Sequence, residues 1–247
     1  MRFALSKVYA VGIGPGDYEN MTIKADNVLG MCDVIIGYGV YVDLVKARYA
    51  DKEFLTTPMT QEVQRCQIAI DMAKSGKNVA VVCSGDSGIY GMAALLHELR
   101  GEENVPVIEV IPGITAASSG GALLGAPLTH DFAVISLSDR LTPWEKIAKR
   151  LKAAAEADLS IVIYNPKSKG RPDHLKKACE ILLVILPETR ICGIAENIGR
   201  YGETKRIMTL KELKDADANM FCTVFIGNEA TKSIGENMIT PRGYKDV

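Results

Sequence analysis

The chain has 247 residues, 47% of them hydrophobic, and a formal net charge of −1. That length suits one large or two small domains, the apolar share is ample for a core, and the near-neutral balance excludes a global field drawing the protein to nucleic acid or anionic lipid. No apolar run reaches membrane-spanning length, and the six cysteines (Cys32, Cys66, Cys83, Cys179, Cys192, Cys222) are scattered without a C-x-x-C pair. Buried reduced thiols in a cytoplasmic protein are therefore expected, with no protein-bound metal and no disulfide framework.

The opening stretch MRFALSKVYAVGIG has no long apolar h-region and no small-residue cleavage site, and reads as the lead into a first strand. KVYAVGI, DVIIG, NVAVVCSG and VIEVIPG are continuous apolar runs of strand length, the pattern of parallel strands buried on both faces. Between them, EVQRCQIAIDMAKSG sets Val63, Cys66, Ile70 and Ala73 at helical spacing and closes on Gly76 as a C-cap. GIYGMAALLHELR reads as another helix. The second half repeats the alternation. FAVISLS, LSIVIYN, TRICGIA and MFCTVFIG read as strands, and PDHLKKACEILLVIL as a helix. TPWEKIAKRLKAAAEA is a helix with Thr142 as N-cap, Pro143 at N1 and Glu145 at N3, its apolar Ile147, Leu151 and Ala154 on one stripe. The fold class is α/β. Small residues and Pro127 mark a boundary between residues 115 and 130, drawn here as domains 1–118 and 119–247.

The first loop, GIGPGD at 12–17, fails the dinucleotide fingerprint. Gly12 and Gly14 fit G-x-G-x-x-G, but the third position is Asp17. Pro15 removes a backbone donor where a pyrophosphate would want one, and Asp17 adds a negative charge. A neutral or cationic ligand suits the loop better, and a ligand-free turn is the bland alternative. Three more unusual turns follow strands: SGDSGIYG (84–91), PGITAASS (112–119) and, in the second half, IYNPKSKGRPDH (163–174). In open α/β sheets ligands bind outside the carboxyl ends of strands, so four such turns at one edge would converge on a cleft.

VGIGPGD…MT, SGDSGIYG and IPGITAASS together resemble the three signature segments of the tetrapyrrole (corrin and porphyrin) methylases, the class III S-adenosylmethionine-dependent methyltransferases. GYGVYVDLV, LGAPLTHDFAVISLSDRLTPWE and IYNPKSKGRPDHL look most like the branch that methylates precorrin-3B or cobalt-factor III at C17 in cobalamin biosynthesis. The resemblance implies two α/β domains with the co-substrate S-adenosylmethionine bent into a cleft between them, and a homodimer. It implies cofactor contacts at Pro15, Gly85, Asp86, Ile89, Thr115 and Ala116, and at Asn165, Ala195, Ile198 and Thr223. Asp86 would face the ligand's ammonium through a charge-assisted bond.

C17 methylation in this branch is coupled to contraction of the macrocycle, which calls for proton movement. Candidate groups are Tyr38, His130 and Lys167 foremost, then Tyr41, Lys169, Arg171, His174 and Glu196. Lys167, Lys169 and Arg171 suit a polycarboxylate substrate, or are a solvated loop. Uroporphyrinogen-methylating relatives carry a catalytic Asp where this chain has Tyr38, which speaks against uroporphyrinogen. Some C17 methylases carry an iron–sulfur extension, and without clustered cysteines none is expected here. The alternatives are another corrinoid position, diphthamide biosynthesis on the same fold, a non-catalytic S-adenosylmethionine sensor, and a nucleotide-binding protein.

Overall fold

A computed structural model describes residues 6–103 and 105–245. The first five residues of the lead segment and the end of the chain at Val247 lie outside them. The chain divides into two compact units, Met1–Ala116 and Ala117–Val247, where the sequence suggested a break after residue 118.

The first unit runs β1 (Lys7–Gly12), α1 (Ile23–Met31), β2 (Val34–Tyr38), α2 (Gly39–Lys46), β3 (Glu53–Thr57), α3 (Glu62–Lys74), β4 (Val79–Cys83), α4 (Ala93–Arg100) and β5 (Val107–Ile111). Its sheet has the order β3-β2-β4-β1-β5, and every pairing is parallel. The apolar runs make this possible, because both faces are covered. In β1, Tyr9 and Val11 pack with Ala25 and Leu29 of α1 and Val42 and Val45 of α2. Val8 and Ala10 face the other way, toward Cys66, Ala69 and Ile70 of α3 and Leu96 of α4. The two-residue period of the strands thus feeds two cores.

The second unit runs α5 (Ala116–Leu124), β6 (Gly125–Ala126), β7 (Phe132–Ser136), α6 (Trp144–Glu156), β8 (Ser160–Tyr164), α7 (His174–Leu182), β9 (Ile191–Glu196), β10 (Thr204–Thr209), α8 (Leu210–Lys214), β11 (Cys222–Ile226), β12 (Lys232–Ile234) and β13 (Asn237–Ile239). Its main sheet, β10-β9-β11-β8-β7, is mixed: β7 and β8 are parallel, β11 runs against β8 and β9, and β10 runs against β9. One face packs Ile147 and Leu151 of α6 with Leu175 and Leu182 of α7. The other packs Ala117 and Leu124 of α5 against Val162, Ala195 and Phe225. A small sheet, β12-β13-β6, completes the unit.

Three local readings change. Helix α6 opens at Trp144, with Pro143 rather than Thr142 in the cap position, at φ −54° and ψ 143°, and with no side-chain cap bond. Pro143 is extended, one residue too late for Thr142 to reach the first amides. Val63 is 58% exposed, and Arg65 takes the inward place beside Cys66. Helix α4 begins at Ala93 rather than Gly88, because Tyr90 adopts φ +55° and holds residues 87–91 in a turn. Gly76, at φ +101°, follows the α3 cap Ser75 and donates to the carbonyl of Ala73.

Candidate active site

The sheet of the first unit is parallel, so the carboxyl ends of β1, β4 and β5 lie side by side, and so do the turns that follow them. The turns are bonded to one another. Gly14 and Gly85 exchange backbone hydrogen bonds of 3.1 and 2.7 Å. A Cβ on Gly12 would stand 2.7 Å from both the amide nitrogen of Gly113 and the carbonyl oxygen of Gly85, and one on Gly113 would stand 2.1 Å from that same oxygen. These glycines are required because three backbones meet where no side chain fits.

Asp86 ties the second of these turns to the third. Its Oδ1 accepts from the amides of Gly88 (2.7 Å) and Ile89 (3.1 Å), and its Oδ2 accepts from Gly113 (3.0 Å). Each carboxylate oxygen has two lone pairs, so Oδ2 retains capacity for one more donor. Asp17 folds back on its own turn, accepting from the backbone and side chain of Asn20. Segments 12–20, 84–91 and 112–116 carry Asp17, Glu19 and Asp86 but no Lys or Arg. Ile89 adds apolar surface at 40% exposure. A rim of carboxylates, carbonyls and apolar side chains suits a cationic or neutral ligand. Pro15, Gly85, Asp86, Ile89, Thr115 and Ala116 all belong to these turns, and Tyr38 ends the neighbouring strand β2 on the same edge.

In the second unit β8 and β9 both run against β11, so the ends of β8 and β9 and the start of β11 share one edge. Ala195 of β9 is the register partner of Thr223 of β11, and both are buried. Asn165, just past β8, has φ +53° and donates from Nδ2 to Ser136 Oγ at 2.9 Å. A Cβ on Gly120 of α5 would lie 3.0 Å from Ile198 and Phe225 side chains, so a glycine lets the helix settle on this edge. Tyr164 Oη accepts from the amide of Ala117 in the first turn of α5 (2.7 Å). The four residues expected here, Asn165, Ala195, Ile198 and Thr223, are thus brought to one end of one sheet.

A model of the Tetrapyrrole (Corrin/Porphyrin) Methylases matches residues 7–214. The chain belongs to that family. It is 45% identical over 235 residues to the probable cobalt-factor III C(17)-methyltransferase of Salmonella typhimurium, covering 95% of this chain and 98% of that one. It is 42% identical to the cobalt-factor III methyltransferase of Priestia megaterium, of whose length it spans 45%. Among solved structures, the methyltransferase CobJ superposes with a TM-score of 0.88 at 34% identity, over 96% of this chain and 100% of that one.

The expected proton-transfer groups of this tetrapyrrole methylase are less well gathered. Tyr38 is half-buried, edge-on to Tyr41 with ring centroids 5.4 Å apart. Lys167 lies on the Asn165 edge, but its Nζ is paired with Asp217 at 3.1 Å. His130 precedes β7, at the other end of the sheet from Asn165, and donates to the carbonyl of Pro241 (3.0 Å). About 13 Å of strand separates the two ends. His174 is buried, with Nε2 3.0 Å from Asp139 Oδ2 and its ring edge-on to Trp144. That bond holds the Asp139 carboxyl below its ordinary range. Glu196 accepts from Asn219 at 2.6 Å. Among the described residues no cluster of His, Cys, Asp or Glu could hold a metal, and no helix is long and apolar enough to cross a membrane. Burial pushes the thiols up, Cys32, Cys66 and Cys179 to about 12.

Sequence reading missed Arg65. It is 4% exposed, and its guanidinium reaches the carbonyls of Thr57 and Pro58 at the carboxyl end of β3, next to Tyr38 in the sheet. The available signal was its phase: positions 65, 66, 69, 70 and 73 form one buried stripe.

Proposed function

We infer that this protein is an S-adenosylmethionine-dependent C17-methyltransferase acting on cobalt-factor III or precorrin-3B in cobalamin biosynthesis, with methylation coupled to ring contraction. The observation that carries the reading is 45% identity to a protein of that name across nearly the whole of both chains. The acidic, lysine-free and arginine-free rim supports it, since it fits a sulfonium and an ammonium and opposes a nucleotide's phosphates.

When bound, S-adenosylmethionine supplies an electrophilic methyl on a cationic sulfur. In this reading the turns at Pro15, Gly85, Asp86, Ile89, Thr115 and Ala116 hold its methionine end, with the open lone pair of Asp86 Oδ2 for the ammonium. The backbone at Ala195, Ile198 and Thr223, with Asn165, serves the adenosine end. In-line transfer to carbon leaves a neutral sulfide, so the protein contributes mainly by alignment, bringing carbon and methyl to about 3–3.5 Å. Tyr38, as a hydroxyl on the same rim, moves a proton in ring contraction. The ammonium of Lys167 binds a substrate carboxylate once it exchanges Asp217. His130, at the far end of its sheet, is the weakest of the three. A homodimer in the cytoplasm completes the proposal.

The test is incubation of purified protein with S-adenosylmethionine and cobalt-factor III, followed by mass spectrometry and NMR. One added methyl at C17 with release of S-adenosylhomocysteine is expected. Cofactor binding without methylation of either the cobalt-containing or the metal-free substrate overturns the assignment.

A further inference from the structure

Arg65 is the one buried Lys, Arg, Asp or Glu among the described residues. Its Nη2 donates to the carbonyls of Thr57 (3.3 Å) and Pro58 (3.1 Å), and its Nη1 touches Met92 Sδ at 3.8 Å. Its Nε has no partner, nor has the buried hydroxyl of Thr57. No carboxylate among the described residues forms an ion pair with it. A full positive charge is therefore held out of water by neutral groups alone. Such burial is unfavourable, and an apolar side chain of similar volume usually serves stability at least as well.

The place of this charge gives it a use. Thr57 is the register partner of Tyr38, so the guanidinium lies under the β2–β3 corner of the rim. The acidic turns follow β1 and β4 on the same edge. The buried cation thus lies on the β3 side of the edge, where the carboxylate of Glu62 is taken up by the amide of Thr60 at 3.1 Å, and the acidic turns lie on the β1 and β4 side. A cationic methyl donor and a polycarboxylate acceptor need that division if they are to bind side by side.

We propose that Arg65 is a specificity-determining residue whose uncompensated charge attracts a carboxylate side chain of the tetrapyrrole to the β2–β3 corner. This rests on the functional reading above. A charge about 8 Å from a bound carboxylate, in a medium of effective dielectric about 30, is worth about tenfold in affinity.

The experiment compares wild type, Arg65→Met and Arg65→Lys. The readouts are Kd for cobalt-factor III by absorbance titration, KM and kcat, Kd for S-adenosylmethionine by calorimetry, and Tm. Arg65→Met is expected to raise Kd and KM for cobalt-factor III about tenfold. Its kcat and S-adenosylmethionine affinity should stay within about twofold, and its Tm should equal or exceed that of wild type. Arg65→Lys, which keeps the charge, should restore most of the affinity. An unchanged Kd for cobalt-factor III in Arg65→Met overturns the proposal. So does a fall in Tm with parallel loss of both ligands, or equal loss in Arg65→Lys, since these are the marks of a purely structural arginine. A wild type that neither binds nor methylates cobalt-factor III overturns the functional reading as well; one that methylates it while Arg65→Met binds normally overturns this proposal alone.

Discussion

Replacing Gly113 by alanine tests whether the three turns work as one piece. The added methyl would stand 2.1 Å from the carbonyl oxygen of Gly85 and 2.6 Å from the carbonyl carbon and oxygen of Gly12. All of these are backbone atoms, so no side chain can rotate away, and the turns must part by about 1 Å. Overpacking of this kind costs about 1–3 kcal/mol. The shift also strains the Gly14–Gly85 pair and the Gly113–Asp86 bond, each worth about 1 kcal/mol. A total of about 3–5 kcal/mol lowers Tm by roughly 6–20 °C in a chain of this size. Because the strain falls on the rim itself, S-adenosylmethionine affinity should fall at least tenfold. Differential scanning fluorimetry and calorimetric titration read the two effects. Gly30→Ala is the control: it sits within α1, where nothing beyond the helix's own backbone lies within 4 Å of the new methyl, and should gain about 0.5–1 kcal/mol. If Gly113→Ala melts within 2 °C of wild type and binds the cofactor normally, the interlocked-turn argument is wrong.

Asp86→Asn turns an acceptor into an amide donor facing at least one of the three backbone N–H groups the carboxylate holds. The expected loss is about 1–3 kcal/mol of stability and more than tenfold in S-adenosylmethionine affinity; normal binding would remove Asp86 from the site. A second prediction concerns acid. Asp26 is lowered to about 2 by its bond to Arg48 and then by that to Tyr49. A depressed carboxyl stabilises the fold above its unfolded pKa, near 4, and that stability is lost as pH falls toward 2. The full shift corresponds to about 2.5 kcal/mol, and solvent screening of a quarter-exposed carboxylate reduces it to about 1 kcal/mol. Asp26→Asn should therefore lower urea stability at pH 6 by about that amount and flatten its decline between pH 4 and 2. An unchanged acid limb would show that the cluster contributes nothing.

What could be read from the sequence follows burial. Strands β1, β2 and β4 have buried neighbours on both sides of the sheet, so they are continuous apolar runs and were legible. β3 (EFLTT) and β10 (TKRIMT) are sheet-edge strands, only partly buried, and their mixed composition gave no run to find. The rim glycines were legible as motifs, but their purpose was not, because a glycine signals only that a Cβ is unwelcome. Whether a ligand or another backbone stands in its place depends on contacts such as Gly12 to Gly113, about a hundred residues apart. Arg65 was hidden for the opposite reason: an arginine on a helix reads as solvated, and only its phase with Cys66 and Ala69 argues otherwise.

The opening loop resembles a phosphate cradle in composition and differs from one in where its amides go. An anion-binding loop points several backbone N–H groups at the ligand. Here the amides of Gly14 and Gly85 are given to each other, those of Gly88 and Ile89 to Asp86 Oδ1, and that of Gly113 to Asp86 Oδ2. Five donors that could have met a phosphate are used to hold the turns together, and Pro15 has no amide proton to offer. The charged side chains these turns carry, Asp17, Glu19 and Asp86, are all acidic. The same bonding that makes the edge rigid therefore also sets its sign, and an edge of that sign selects for a cation. Selectivity against nucleotides is in this view a consequence of how the turns are fastened, which is why Asp86→Asn should disturb affinity and rigidity together.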